Sequence, residues 1–311
     1  MLIKIFLILF ISISSYALTF DEAIKNLNAK KYVIALEQFT ILALDDDTNA
    51  QYNLGLMNYK GLGTPVNKEL ALFWYEESAR NGNMYAQNNL AHMYYKGNFV
   101  KKDLTKAKSW YEKSALQGYS LAQLNLGMIY EKNPKKESLE KAYYWYEKSA
   151  SQGVIIAQNN LASMYYFGKG VKKDISKALY WYKVSANSNN NVAQYNLAVM
   201  YLVGDGTKID YEKAIFWLSK SANSGNKEAQ LKLADIYRKG NITSIDYKKS
   251  FDLYMKAALK ESSKAMFYVG FHYFNGYGIE KNEVKAKEWM KKAEAKGHNR
   301  ASNFLKINNL K

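Results

Sequence analysis

The chain has 311 residues, a formal net charge of +16, no cysteine and two prolines, Pro65 and Pro134. The lack of cysteine excludes disulfides and thiolate metal sites, and so few prolines suit a chain that is nearly all helix. Arg80, Arg238 and Arg300 are the only arginines, so the positive charge is carried by lysine. Recognition of phosphates and bases favours the planar arginine fork; no nucleic-acid partner is expected, and a solvated lysine surface is the simpler account of the charge.

Met1 to Ala17 reads MLIKIFLILFISISSYA, with Lys4 before an apolar run from Ile5 to Ile13 and small residues at Ser15 and Ala17. This pattern predicts a secretory signal cleaved after Ala17 and a periplasmic or secreted chain. The run is shorter than the ~20 residues that cross a bilayer, so the chain is not expected to span a membrane. Residues 18–49 then read as an N-terminal capping hairpin, with helices over Phe20 to Asn28 and Tyr32 to Leu44 and a solvated acidic turn at Asp45, Asp46 and Asp47.

From Ala50 onward the chain repeats itself. Ala50, Ala86, Ala122, Ala157, Ala193, Ala229, Ala265 and Ala301 recur at steps of 36, 36, 35, 36, 36, 36 and 36 residues. A fixed period in this range marks stacked helical repeats, which a count of average-sized domains would miss. The units are 50–85, 86–121, 122–156, 157–192, 193–228, 229–264 and 265–300, followed by a C-terminal capping helix over 301–311. The predicted fold is all-α, a solenoid of α/α hairpins.

Each unit opens on a first helix, helix A, whose apolar positions fall four, five and seven residues after the marker alanine. In the fourth unit these are Leu161, Ala162 and Met164. The glycine or alanine after each leucine (Gly55, Ala91, Gly127, Ala162, Ala198, Ala234, Gly270) leaves room for a close helix neighbour. A Gly-x-Gly turn follows, as at Gly61, Gly168, Gly204 and Gly276. No strand is expected before it, so a phosphate loop is not.

Helix B is predicted to open on an N-cap at Asn67, Asp103, Ser138, Asp174, Asp210, Asp246 or Asn282. Seven residues after the cap stand Trp74, Trp110, Trp145, Trp181, Trp217 and Trp289, replaced once by Leu253. A tyrosine usually follows. At helical spacing both ladders read as core between hairpins, not as sugar platforms. Gly82, Gly118, Gly153, Gly225 and Gly297 end the helix, with Asn189 in that role once. The third unit is one residue short, lacks Gly-x-Gly and carries Pro134, so its loop should differ.

The assembled hallmarks resemble Sel1-like repeats, relatives of the tetratricopeptide repeats. They are Ala-Gln-x-x-Leu-(Gly/Ala), a tyrosine near the end of helix A, Gly-x-Gly, Asp-x-x-Lys-Ala and Trp-Tyr. The resemblance implies a right-handed superhelix and adaptor or scaffold roles in protein complexes. A secreted branch, the Helicobacter cysteine-rich proteins, is similar in its signal peptide and unit length. That branch implies a β-lactamase or penicillin-binding alternative, but its paired cysteines are absent here.

Residues that vary at one structural place are the candidates for recognition. By analogy with related solenoids, helix A lines a concave face, and the positions two, six and nine after the alanine form a stripe suited to an extended peptide or partner helix. From it we single out Tyr52, Tyr95, Tyr166, Tyr195, Phe267 and Phe271. Asn53, Asn89, Asn125, Asn160 and Asn196 form a second ladder. It would either clamp a peptide backbone or bond helix to helix. Lysines before helix B, among them Lys101, Lys102, Lys135, Lys136, Lys172, Lys173, Lys208 and Lys281, offer a second alternative, binding of an anionic envelope component.

No catalytic site, metal or cofactor is expected. His92, His272 and His298 occupy unrelated places, and no metal-binding or nucleophile motif occurs. Ser138-Leu139-Glu140-Lys141 matches the Ser-x-x-Lys string of serine β-lactamases, but its serine stands at a cap position and the partner motifs are missing.

Overall fold

The computed structural model describes residues 18–310; the expected signal segment lies outside them. Among the described residues there are seventeen helices and no strand. The first hairpin pairs α1 (Phe20–Asn28) with α2 (Tyr32–Leu44). Then come α3 (Thr48–Lys60) with α4 (Lys68–Arg80), α5 (Met84–Lys96) with α6 (Leu104–Leu116), and α7 (Ser120–Glu131) with α8 (Lys136–Ser151). These eight helices make up a first compact stack, ending at Val154. The second stack holds α9 (Ile155–Phe167) with α10 (Ile175–Asn187), α11 (Asn191–Val203) with α12 (Tyr211–Asn223), and α13 (Lys227–Lys239) with α14 (Tyr247–Ala258). It ends with α15 (Ser263–Asn275), α16 (Glu283–Ala295) and the final α17 (Asn299–Ile307).

Helix starts follow the capping chemistry. Asn67, Asp103, Asp174, Asp210, Asp246 and Asn282 each accept a backbone N–H from the first turn of helix B. Ser138 does not. Without a glycine loop the helix is free to start earlier, and α8 begins at Lys136, so Ser138 lies inside it. The Gly-x-Gly turns are set by two demands. Both glycines of Gly276-Tyr277-Gly278 have positive φ, and a Cβ on Gly278 would sit 2.4 Å from the backbone of Tyr247 and Lys248 at the start of α14. The turn therefore also packs one repeat against the previous one.

Eight residues after the cap, helix B buries Tyr75, Tyr111, Tyr146, Tyr182, Leu218, Tyr254 and Met290. These side chains are the core of each hairpin. The preceding tryptophans are shallower: Trp74 is buried, whereas Trp110, Trp145, Trp181, Trp217 and Trp289 are half-exposed. Trp110, Trp145, Trp217 and Trp289 pack against the core as expected, at a shallower depth than the residue that follows them. Successive positions point 100° apart on a helix, and here the second of the two faces helix A. A Cβ on Gly55 would stand 2.9 Å from the Tyr75 ring, and one on Gly127 2.6 Å from Tyr146. The small residue on helix A is thus the floor on which the buried tyrosine lies.

Two polar ties recur, one between hairpins and one within them. Gln51, Gln87, Gln123, Gln194 and Gln230 reach back with Nε2 to the carbonyls of Ala43, Ala79, Ala115, Ala186 and Ala222, at 3.0–3.3 Å. Each carbonyl belongs to the last turn of a helix and also accepts the N–H three residues on, at 3.0–3.3 Å, so the glutamine bonds its second lone pair. The hydroxyls of Ser78, Ser114, Ser149, Ser185 and Ser221 donate to Thr48, Met84, Ser120, Ile155 and Asn191 carbonyls at 2.6–2.9 Å. In the first stack the glutamine oxygens are satisfied as well, by Asn81, Gln117 and Gln152 at 3.2, 2.8 and 2.8 Å. In the second stack Ser224 stands at the corresponding place opposite Gln194. It is too short to reach, and Gln194 Oε1 is buried without a partner.

The sixth and seventh repeats share a paired exchange. His272 stands where the other helices A have Met57, Met93, Ile129, Met164, Met200 or Ile236, and Ser250 stands where helix B otherwise has alanine. Both are fully buried, with His272 Nδ1 2.7 Å from the Tyr277 carbonyl and Nε2 3.4 Å from Ser250 Oγ. Tyr247, Phe251, Tyr254 and Tyr277 surround the ring. Burial pushes its pKa down; the Tyr277 carbonyl opposes this and the Arg238 charge adds to it.

Two outcomes are expected. Ser224→Gln should give Gln194 its missing donor and raise stability by about 1 kcal/mol, read from chemical denaturation. A variant no more stable than wild type would mean that the orphan oxygen costs nothing. His272 is neutral when folded and titrates near pH ~6.5 when unfolded. Its contribution is therefore present above that pH and is lost as pH falls through the depressed native value. The melting temperature should drop on acidification, and His272→Met should remove part of the slope. Above the carboxylate range the remainder belongs to His92 and His298, whose pKa values partial burial also lowers; below it Asp235, Asp210 and Asp246, all held low, add to the loss.

Candidate functional site

The outer side of helix A is where the repeats differ. In the first stack α3 and α5 diverge enough to leave a cleft of about 230 Å³. Leu56 and Tyr59 come from α3, Asn89, His92 and Met93 from α5, and Asn98 from the turn after it, with the Tyr75 ring at the floor. Tyr59 and His92 are exposed at the rim. Burial raises the Tyr75 phenol well above the ordinary tyrosine range, and also raises Tyr52, each partly offset by a hydrogen bond with Asn89. Both stay neutral hydroxyls at any physiological pH. Along the same stack Tyr52, Tyr85 and Tyr119 form a row, with ring centroids 5.7 and 5.0 Å apart. A second cleft, about 440 Å³, opens between α5 and α7 and is lined by Tyr95, Ile129, Lys102 and Lys132.

The asparagine ladder is not used as one device. Asn53 is buried and donates to the Asn49 carbonyl in its own helix at 2.8 Å. Asn125 bonds to Asn88 of the neighbouring repeat at 3.2 Å. Asn89 and Asn160 each accept from the asparagine before them. Asn196 is half-buried and makes no side-chain hydrogen bond among the described residues. Only Asn89 faces a cleft with its amide beside tyrosine hydroxyls.

The aromatic candidates divide in the same way. Tyr52 and Tyr95 lie in the first stack, Tyr95 beneath the Lys132 ammonium, which also donates to its hydroxyl. In the second stack Tyr166 is tied to Asp205 in the turn after α11. Tyr195 is half-buried against the core around Leu218 and Leu233. Phe267 is only 2% exposed: its ring stacks on His298 at 4.6 Å and meets Phe304 of α17 at 6.1 Å. Phe271 is half-buried against Phe304 and Tyr277. The final helix therefore covers the place where a partner was expected to lie on the seventh repeat.

A charged network fills the second stack at the corresponding register. The Tyr254 hydroxyl donates to Asp235, Lys264 Nζ lies 2.7 Å from its other oxygen, and Arg238 lies 3.7 Å away and over the Tyr268 ring. Burial pushes the Asp235 carboxyl up. The bonds from Lys264 and Tyr254 and the nearby positive charges outweigh that and hold it below the usual carboxylate range. These groups are neutralised within the chain. Sequence reasoning had no pairing signal for them, because Asp235, Tyr254 and Lys264 come from three helices. Tyr85 and Tyr119, which extend the tyrosine row, were missed because they precede the marker alanine.

No group of three or more histidine, aspartate or glutamate side chains is placed to hold a metal among the described residues. The Ser250–His272 pair is sealed: Ser250 Oγ already donates to the Ala234 carbonyl, and neither residue is exposed. Lys141 points over the Tyr130 ring, so the Ser138-x-x-Lys141 string makes no paired site. The lysines before helix B alternate with the aspartate caps, two of which are also paired: Asp210 with Lys213 at 2.7 Å and Asp246 with Lys249 at 3.0 Å.

Hairpins of this construction, tied by a glutamine amide and a serine hydroxyl, define an α/α-hairpin repeat protein. The chain belongs to the Sel1 repeat family, whose pattern matches residues 48–83, 85–119, 120–154, 155–190, 191–226, 227–262 and 263–298. It is similar to a protective antigen of uropathogenic Escherichia coli displaying an SLR fold, with 32% identity over 87% of this chain and a TM-score of 0.80; it spans 58% of that antigen's chain. It also has the fold of a Sel1 repeat protein from Oxalobacter formigenes (24% identity, 98% and 99% of the two chains, TM-score 0.75). Helicobacter pylori cysteine rich protein B matches at 26% identity over 43% of this chain and 97% of its own, with a TM-score of 0.34. No curated protein matches in sequence. Sel1 repeat solenoids are generally scaffolds for protein–protein contacts, and no helix among the described residues is long and apolar enough to cross a membrane.

Proposed function

We propose that this chain is an exported, non-catalytic scaffold that holds an extended peptide or a partner helix along the helix A side of its first stack. The cleft between α3 and α5 carries the reading. It sets an aromatic floor, Tyr75, beneath polar groups on the half-buried Asn89 and the exposed His92 and Asn98. An apolar side chain seated on the ring would leave its backbone within reach of those donors and acceptors. The tyrosine row adds contact area at low side-chain entropy. In the second stack the same register is occupied by the Asp235 network and by α17, which favours the first stack as the docking side. Export rests on the apolar stretch after Lys4 and the small residues before Leu18.

A photo-reactive residue placed at Tyr59 in the producing cell should form a discrete adduct with one partner protein. Asn89→Ala and His92→Ala in that background should each lower the adduct yield by roughly tenfold, the loss expected for a desolvated hydrogen-bonding contact. Equal adduct yields in the parent and both variants, or no adduct at Tyr59, would remove the cleft from the reading.

A further inference from the structure

Helix B carries an outward register that the fold does not require. Six residues after the cap, Tyr144 on α8, Tyr180 on α10 and Phe216 on α12 are 46%, 60% and 50% exposed. At the same place the first repeat has Phe73, half-buried against the core, and the others have Ser109, Asp252 and Glu288, all exposed, whose hairpins close without an aromatic. Packing therefore does not demand an aromatic there, and water disfavours one. Each of these rings stands edge-on to the half-buried tryptophan beside it, at 4.9, 5.2 and 5.1 Å for Trp145, Trp181 and Trp217.

In the second stack this register is also positive. α10 contains no acidic residue and presents Lys177 and Lys183 one turn on either side of Tyr180. On α12 the Lys220 Nζ lies 4.7 Å above the Phe216 ring and 5.1 Å above Trp217 and so covers one face of each, whereas the Tyr180 ring, the most exposed of the three, carries no cation over its face among the described residues. Lys177, Lys183 and Lys220 have no carboxylate within ion-pair distance among the described residues.

We propose that this aromatic and lysine register on α10 and α12 binds an anionic polysaccharide. The flat C–H faces of sugar rings lie on open aromatic faces, and carboxylate or sulfate groups on the same polymer meet the unpaired lysines. The residue types favour this partner over two others. A bilayer would require exposed aliphatic chains, and the exposed residues of α10 are Ser176, Lys177, Tyr180, Lys183 and Asn187. Single-stranded nucleic acid is served by arginine as well as by aromatic rings, and neither helix carries an arginine. The surface is separate from the helix A cleft, so it stands or falls independently of the docking proposed above.

The test is titration of the full chain with polygalacturonate and with heparin, followed by tryptophan fluorescence, with neutral pullulan and oligo-dT as comparators. Both anionic polymers should bind and pullulan should not. Tyr180→Ala with Phe216→Ala should weaken binding at least roughly tenfold at about 0.15 M salt while leaving the salt slope unchanged. Lys183→Gln with Lys220→Gln should flatten that slope. Helical circular dichroism checks that both variants are folded, and Tyr59→Ala should bind as wild type does. The proposal is overturned if neither anionic polymer binds, if the aromatic variant binds as tightly as wild type, or if oligo-dT binds more tightly than both polymers.

Discussion

The amide of a glutamine near the start of helix A, donated into the last turn of the preceding helix B, is the contact that turns hairpins into stacks in all but the seventh repeat, where Met266 replaces it. The carbonyls it reaches already accept one N–H from the turn that ends the helix, and the glutamine takes their second lone pair across the hairpin boundary. Gln87, Gln123 and Gln230 are buried and aimed at those carbonyls. The serine hydroxyls act at the opposite edge, tying helix B to the start of helix A in the same repeat. Together they fix the register in which the apolar faces meet. A hairpin without neighbours would expose its apolar side and lose the glutamine bond at once, so stability is shared along a stack.

That register determines what reaches the surface. The tyrosine eight residues after the cap passes through the core, and its hydroxyl emerges beneath the outer side of helix A. Its partner there differs from repeat to repeat: Asn89 at Tyr75, Ser163 at Tyr182 and Asp235 at Tyr254. Burial raises the Tyr182 phenol to about 12, so it too remains a neutral donor. Where the partner is Asp235, Lys264 and Arg238 close the network and the surface is spent on the fold. Where it is an amide, as at Asn89, hydrogen-bonding capacity remains for a ligand. The contrast between the Tyr75 and Tyr254 sites follows from this exchange of amide for carboxylate.

Period, helix pairing and most caps were legible in the sequence, because each is a local residue choice with a fixed spacing. Ser138 misled because its neighbours in the other repeats are caps. The missing glycine turn let α8 start at Lys136, a change no single position announces. The order of depth between tryptophan and tyrosine was hidden because both lie on the same apolar stripe, and only the crossing of α4 over Gly55 decides which ring faces inward. Phe267 looked like a contact residue in its own repeat; its burial is contributed by His298 and Phe304, more than thirty residues later. The candidate site was legible as a stripe but not as a cleft, since Tyr59, Asn89 and His92 meet only when two repeats are stacked.

A repeat of this kind separates what holds it from what it can recognise. The alanine, glutamine, serine and eighth-position aromatic are committed to neighbours on both sides, and a change in any one of them is felt across a hairpin boundary. The sixth position of helix B tolerates either an aromatic or a polar residue, as Ser109, Asp252 and Glu288 show by standing where Tyr180 and Phe216 stand elsewhere. Such a position can drift in chemistry while the backbone stays fixed. Aromatic rings kept in the open at three successive repeats, with unpaired lysines one turn away in two of them, are therefore not a by-product of stacking. They lie on the opposite element from the α3–α5 cleft. The two proposed surfaces include none of the glutamines and serines that tie the helices, so neither proposed binding event would need to disturb those ties.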